Sequence, residues 1–81
     1  MTFNQLEIRL LDYFRTNGSV GYRCLQDVDD GLAISTMQRM IAKGWCSGQV
    51  LRSAYSGNHD AISVVIEYVR PDVLEAARLA A

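Results

Sequence analysis

Positive charge is not in surplus: eight Lys and Arg stand against nine Asp and Glu, a formal net charge of −1. That balance excludes a chain that coats nucleic acid without regard to sequence, because such binding rests on cations neutralising phosphates. No apolar run approaches the roughly 20 residues of a membrane span. The first residues lack the basic flank and apolar block of a secretory signal, so a cytoplasmic location is expected. Cysteine is limited to Cys24 and Cys46, which suit a reducing compartment and read as small buried hydrophobes. His59 is the single histidine. A zinc site built from it and the two cysteines would need three distant segments to converge. His59 lies beside Asp60, but no neighbouring Ser or Cys has a structural reason to be activated. A glycine-rich phosphate loop is also missing, since Gly18, Gly21 and Gly31 each fit a cap or a turn. No enzyme activity, cofactor, metal, membrane or small-molecule substrate is therefore expected.

What is present is an ordinary globular composition, 49% hydrophobic and 21% charged, in 81 residues. That is room for one domain, 1–81, with a single core. Thr2 followed by Gln5 matches a capping box, and Phe3, Leu6, Leu10, Leu11 and Phe14 recur at helical spacing. The spacing predicts a first helix over about 3–16 that stops at Asn17-Gly18, with Glu7, Arg9, Asp12 and Arg15 on its solvated face. Residues 18–21 can hold a two-residue bridge to a sheet edge. A brief second helix is expected over about 22–28, with Cys24, Leu25 and Val28 turned inward. Asp29 and Asp30 then stand where an N-cap belongs. A third helix is predicted over about 31–43, with Ala33, Met37, Met40 and Ile41 on its buried stripe and Gly44 as its stop. Met37 and Met40 read as core residues.

The runs 49–55 and 61–69 are rich in β-branched and aromatic residues and flank a polar turn, so a hairpin over about 49–69 follows. Pairing Tyr55 with Ala61 would turn Ile62, Val64, Ile66 and Tyr68 toward the core with Val50, Arg52 and Ala54 on the same side. Arg52 sits poorly there, and a one-residue bulge in the loop would exchange the partners. Pro71 opens a short terminal helix over about 71–80 that packs on the first helix or meets a second subunit.

The run Ala33-Ile34-Ser35-Thr36-Met37-Gln38-Arg39-Met40-Ile41-Ala42-Lys43-Gly44-Trp45 resembles the recognition helix of winged helix-turn-helix transcription regulators, including the multiple-antibiotic-resistance-regulator type. The order of elements over residues 3–69 is similar too. The resemblance implies an α+β winged helix-turn-helix fold: a three-helix core, a C-terminal hairpin wing and a short terminal helix. It also implies a small regulator that binds double-stranded DNA, as a homodimer on paired half-sites. The matching positions Ser35, Thr36, Gln38 and Arg39 would then approach base edges, where arginine suits guanine and glutamine suits adenine. Lys43 and Arg52 would meet phosphate, and Asn58 and His59 at the wing tip would reach the backbone or minor groove.

A winged helix that binds a protein partner, or a small inhibitor of the kind some phages encode, is the alternative. Asp27, Asp29 and Asp30 beside the recognition helix suit it, as does a wing tip without lysine or arginine. Leu51, Tyr55, Val65 and Val69 would line the outer face of the hairpin and, with Leu74, form a dimer or partner interface.

Overall fold

In the computed structural model, which describes residues 1–54 and 60–81, the order is α1 (Gln5–Asn17), β1 (Val20–Gly21), α2 (Asp30–Ala42), β2 (Cys46–Ala54), β3 (Asp60–Val69) and α3 (Pro71–Ala80). Three helices pack with one antiparallel sheet of order β1-β3-β2, a small α+β fold. Leu10 and Leu11 of α1, Met37 and Met40 of α2, Val64 and Ile66 of β3, and Val73 of α3 all meet in one core, each at most 1% exposed.

Capping sets where α1 begins. The side chain of Asn4 accepts from the amide of Glu7 at 2.8 Å, and Glu7 Oε1 accepts from the amide of Asn4 at 2.8 Å. This reciprocal box satisfies two amides that a helix start leaves without partners. The Thr2–Gln5 box is therefore displaced by two residues, and Glu7, expected on the solvated face, is only 5% exposed. Gly18 closes the helix in the left-handed conformation at φ 83°, its amide donating to the Phe14 carbonyl. Arg15 donates to the Leu74 carbonyl at 2.8 Å, which ties α3 to α1 within the same chain.

Residues 22–28 form turns instead of the expected second helix. The amide of Cys24 bonds the Gly21 carbonyl and that of Val28 bonds the Leu25 carbonyl, two isolated tight turns. Seven residues give little return on the cost of nucleating a helix. Side chains hold this segment from outside: Arg9 of α1 grips Asp27 with both terminal nitrogens, at 2.7 and 3.0 Å. Asp29 then caps α2 by accepting from the amide of Leu32 at 3.1 Å. At the far end Gly44, at φ 77°, turns the chain out of the helix.

The hairpin pairs two residues off the expected register, with Ser53 opposite Ala61, so the same residues still share a face. Its bulge lies at the base and not in the loop. Gly48 pairs with Ile66 and Ser47 with Tyr68, which leaves Glu67 as the extra residue of β3. Side chains alternate with period two, so one extra residue reverses every face beyond it. Val69, expected on the outer strip, is therefore buried at 3%, and Tyr68, expected in the core row, is 52% exposed. At this bulge the strands come so close that a Cβ on Gly48 would sit 1.9 Å from the Val65 carbonyl oxygen.

Candidate functional site

Helix α2 is held from both ends, and its free face is defined by what the core takes. Ala33, Thr36, Met37 and Met40 are buried, an i, i+3, i+4, i+7 stripe. Thr36 is 1% exposed and its hydroxyl accepts from Arg39 Nη2 at 3.4 Å, so it supports Arg39 from below and does not face outward as a base reader would. Ser35 and Arg39 are exposed and Gln38 is half-buried. Spaced three and four apart, they share the outer side of the helix. The Ser35 hydroxyl donates to the Leu32 carbonyl at 3.1 Å, leaving its oxygen open to a donor.

Lys43 is drawn back onto the fold. Its ammonium stands 3.4 Å from Glu7 Oε2 and 4.3 Å from the centre of the Trp45 ring. Trp45 in turn packs on Phe3, ring centres 5.0 Å apart. Lys43 thereby forms a strut between α1 and the end of α2. Arg52 is exposed on β2. Asn58, His59 and Tyr55 lie outside the described residues. Of the remaining expected interface, Leu51 is exposed, Val65 is half-buried, and Leu74 packs against the core, as Val69 does.

The aspartates beside α2 are largely matched. The Arg9 guanidinium holds the Asp27 carboxyl below the usual carboxylate range, Arg23 reaches Asp30 at 3.4 Å, and Asp29 serves as the cap. Ion pairs of the same kind join Arg15 to Asp12, Arg70 to Asp72 and Arg78 to Glu75. Of the eight Lys and Arg, six thus carry a carboxylate partner. The two without one among the described residues are Arg39 on α2 and Arg52 on the hairpin.

Elsewhere, α1 and the turn segment border an open groove of about 280 Å³ lined by Arg9, Asp12, Tyr13, Thr16, Asn17 and Leu25. Arg9 and Asp12 are already paired, and the Cys24 thiol beside Tyr13 raises the phenol above its ordinary pKa. Burial pushes the Cys46 thiol up to about 11, so it stays protonated and unreactive at neutral pH. Among the described residues no cluster of three or more His, Cys, Asp and Glu could hold a metal ion, and no helix is long and apolar enough to cross a membrane.

Glu7 and Arg9, both expected only on the solvated face of the first helix, respectively cap that helix and hold the turn segment. The signal for Glu7 was Asn4-x-x-Glu7, a stronger capping box than the one built on Thr2. Comparison with known proteins finds no protein family, no curated protein and no solved structure that matches this chain.

Proposed function

We propose that this chain is a winged helix-turn-helix module that binds duplex DNA as a small transcriptional regulator, with α2 in the major groove and the β2–β3 hairpin along the flanking backbone. The observation that carries this reading is the placement of Arg39 and Arg52. Carboxylates take up the other six cations, and these two stand on the two parts a winged helix presents to DNA. The order α1-β1-α2-β2-β3 with strand order β1-β3-β2 suits such a module, the turns of 22–28 standing where its second helix would be. Arg39 can bond guanine with two nitrogens, Gln38 can bond adenine, and Ser35 can accept from the amino group of a base. Two cations per chain give a small electrostatic footprint, so affinity would come from base contacts more than from phosphates.

A duplex enriched from a random pool provides the test. Arg39→Ala and Gln38→Ala should each weaken binding to it by about 5- to 150-fold, the equivalent of about 1–3 kcal/mol, with circular dichroism unchanged. Unaltered binding by both variants would remove α2 from the groove. A module for a protein partner is the second reading, favoured by the exposed Val50, Leu51 and Tyr68 on the hairpin.

A further inference from the structure

Strand β2 is hydrogen-bonded on one side only, since the sheet order is β1-β3-β2. Along it Ser47, Gly48, Gln49, Val50, Leu51 and Arg52 are all exposed. An edge of nine residues carries alternate N–H and C=O groups that point away from its partner, and these form a template for another strand. Edges of this length are commonly blunted by proline, lysine or very short strands. In β2 there is no proline and no lysine, and Arg52 is its single charged residue. Val50 and Leu51, 43% and 56% exposed, place apolar side chains on both faces at the strand's middle.

We propose that β2 pairs antiparallel with β2 of a second copy of this chain, about a two-fold axis at Val50, to make one continuous sheet across a homodimer. The charge pattern permits this occupant and selects this direction. About that axis each Arg52 lies opposite Gly48 of the other copy. The two guanidinium-bearing positions are then four residues apart, about 13 Å along the strands. That exceeds the Debye length of about 8–10 Å at physiological salt, so self-pairing opposes no like charges. A parallel pair in register would set Arg52 directly against Arg52, which is destabilising. Antiparallel pairing instead sets Val50 against Val50, a β-branched pair, and Leu51 against Gln49. The bulge at Glu67 falls at the base of the hairpin, outside the central stretch from Gly48 to Arg52. A two-fold interface of this kind is self-complementary and closes on itself, so it ends at the dimer.

Sedimentation equilibrium and cysteine cross-linking test it together. The wild-type chain should sediment as a dimer. Val50→Lys, which brings two ammonium groups face to face at the axis, should sediment as a monomer with unchanged circular dichroism, and its melting temperature should no longer depend on protein concentration as a dimer's does. Under mild oxidation Val50→Cys should form an interchain disulfide, because directly opposed residues lie about 4.5–5.5 Å apart at Cα, within the reach of that bond. Arg52→Cys should not, and the wild-type chain with Cys24 and Cys46 supplies the background. A wild-type monomer, a dimeric Val50→Lys, or Arg52→Cys linking as readily as Val50→Cys would each overturn the pairing. A monomer that still bound duplex DNA would leave the functional proposal standing.

Discussion

Alanine at Gly48 should destabilise the domain by about 3 kcal/mol or more, lowering its melting temperature by roughly 12–24 °C. The reason is space and not backbone angle, since Gly48 is not among the residues with positive φ. A Cβ there would meet the Val65 carbonyl oxygen at 1.9 Å and the Ile66 Cα at 2.8 Å, closer than real side chains come. Both obstacles are backbone of the central strand, so relief requires the bulge to open or the register to slip. A slip by one residue would turn Val64 and Ile66 out of the core and defeat the sheet. Gly18→Ala is the control. Gly18 sits at φ 83° with nothing within 4 Å of a new Cβ, so alanine there should cost only the conformational penalty, about 1–2 kcal/mol. Thermal unfolding followed by circular dichroism separates the two. Equal losses would mean that the strands do not close on Gly48.

Met40→Ala is expected to cost about 2–5 kcal/mol, the sum of lost burial and the cavity left behind. Met40 has no exposed surface and joins Leu10, Met37, Trp45 and Ile66 in the core, the contacts that seat α2. Leu79→Ala, at a side chain 71% exposed, should stay within about 0.5 kcal/mol. Chemical denaturation of the two variants gives the comparison. A small loss at Met40 would mean that the methionines form a surface rather than the interior. Because the same contacts aim Ser35, Gln38 and Arg39 outward, Met40→Ala should also weaken any binding that depends on α2.

Helix periodicity made much of this core readable in advance. Leu10 and Leu11, the Ala33-Met37-Met40 stripe, the Asp29 cap, the Gly18 stop and the helix opened by Pro71 all follow from local spacing and cap chemistry. Thr36 was legible too. Its position three residues from Ala33 and four from Met40 puts it on the buried stripe, but its polarity pointed to the surface. The turns at 22–28 were less so, because a short amphipathic stretch looks helical until the price of nucleation is set against side chains that pin it from α1. The bulge at Glu67 could not be read from β3 alone. It comes from the close approach of Gly48 across the sheet, a relation between distant residues. That single residue moved Val69 into the core and Tyr68 onto the surface. The candidate site was partly legible: Ser35, Gln38, Arg39 and Arg52 are exposed or half-exposed. The pairing of Lys43 was not, since it depends on Glu7 and Trp45, two groups brought together only by the fold.

Salt dependence of duplex binding bears most directly on the functional proposal. With Arg52 set against phosphate and Arg39 against a base edge, the logarithm of affinity for an enriched duplex should fall against the logarithm of salt concentration with a slope of about −1 per bound chain. Replacing Arg52 with alanine should reduce that slope by about 1. Failure of the wild-type chain to bind any duplex at low salt, or a slope unmoved when both arginines are replaced, would contradict the assignment of α2 and the hairpin to DNA.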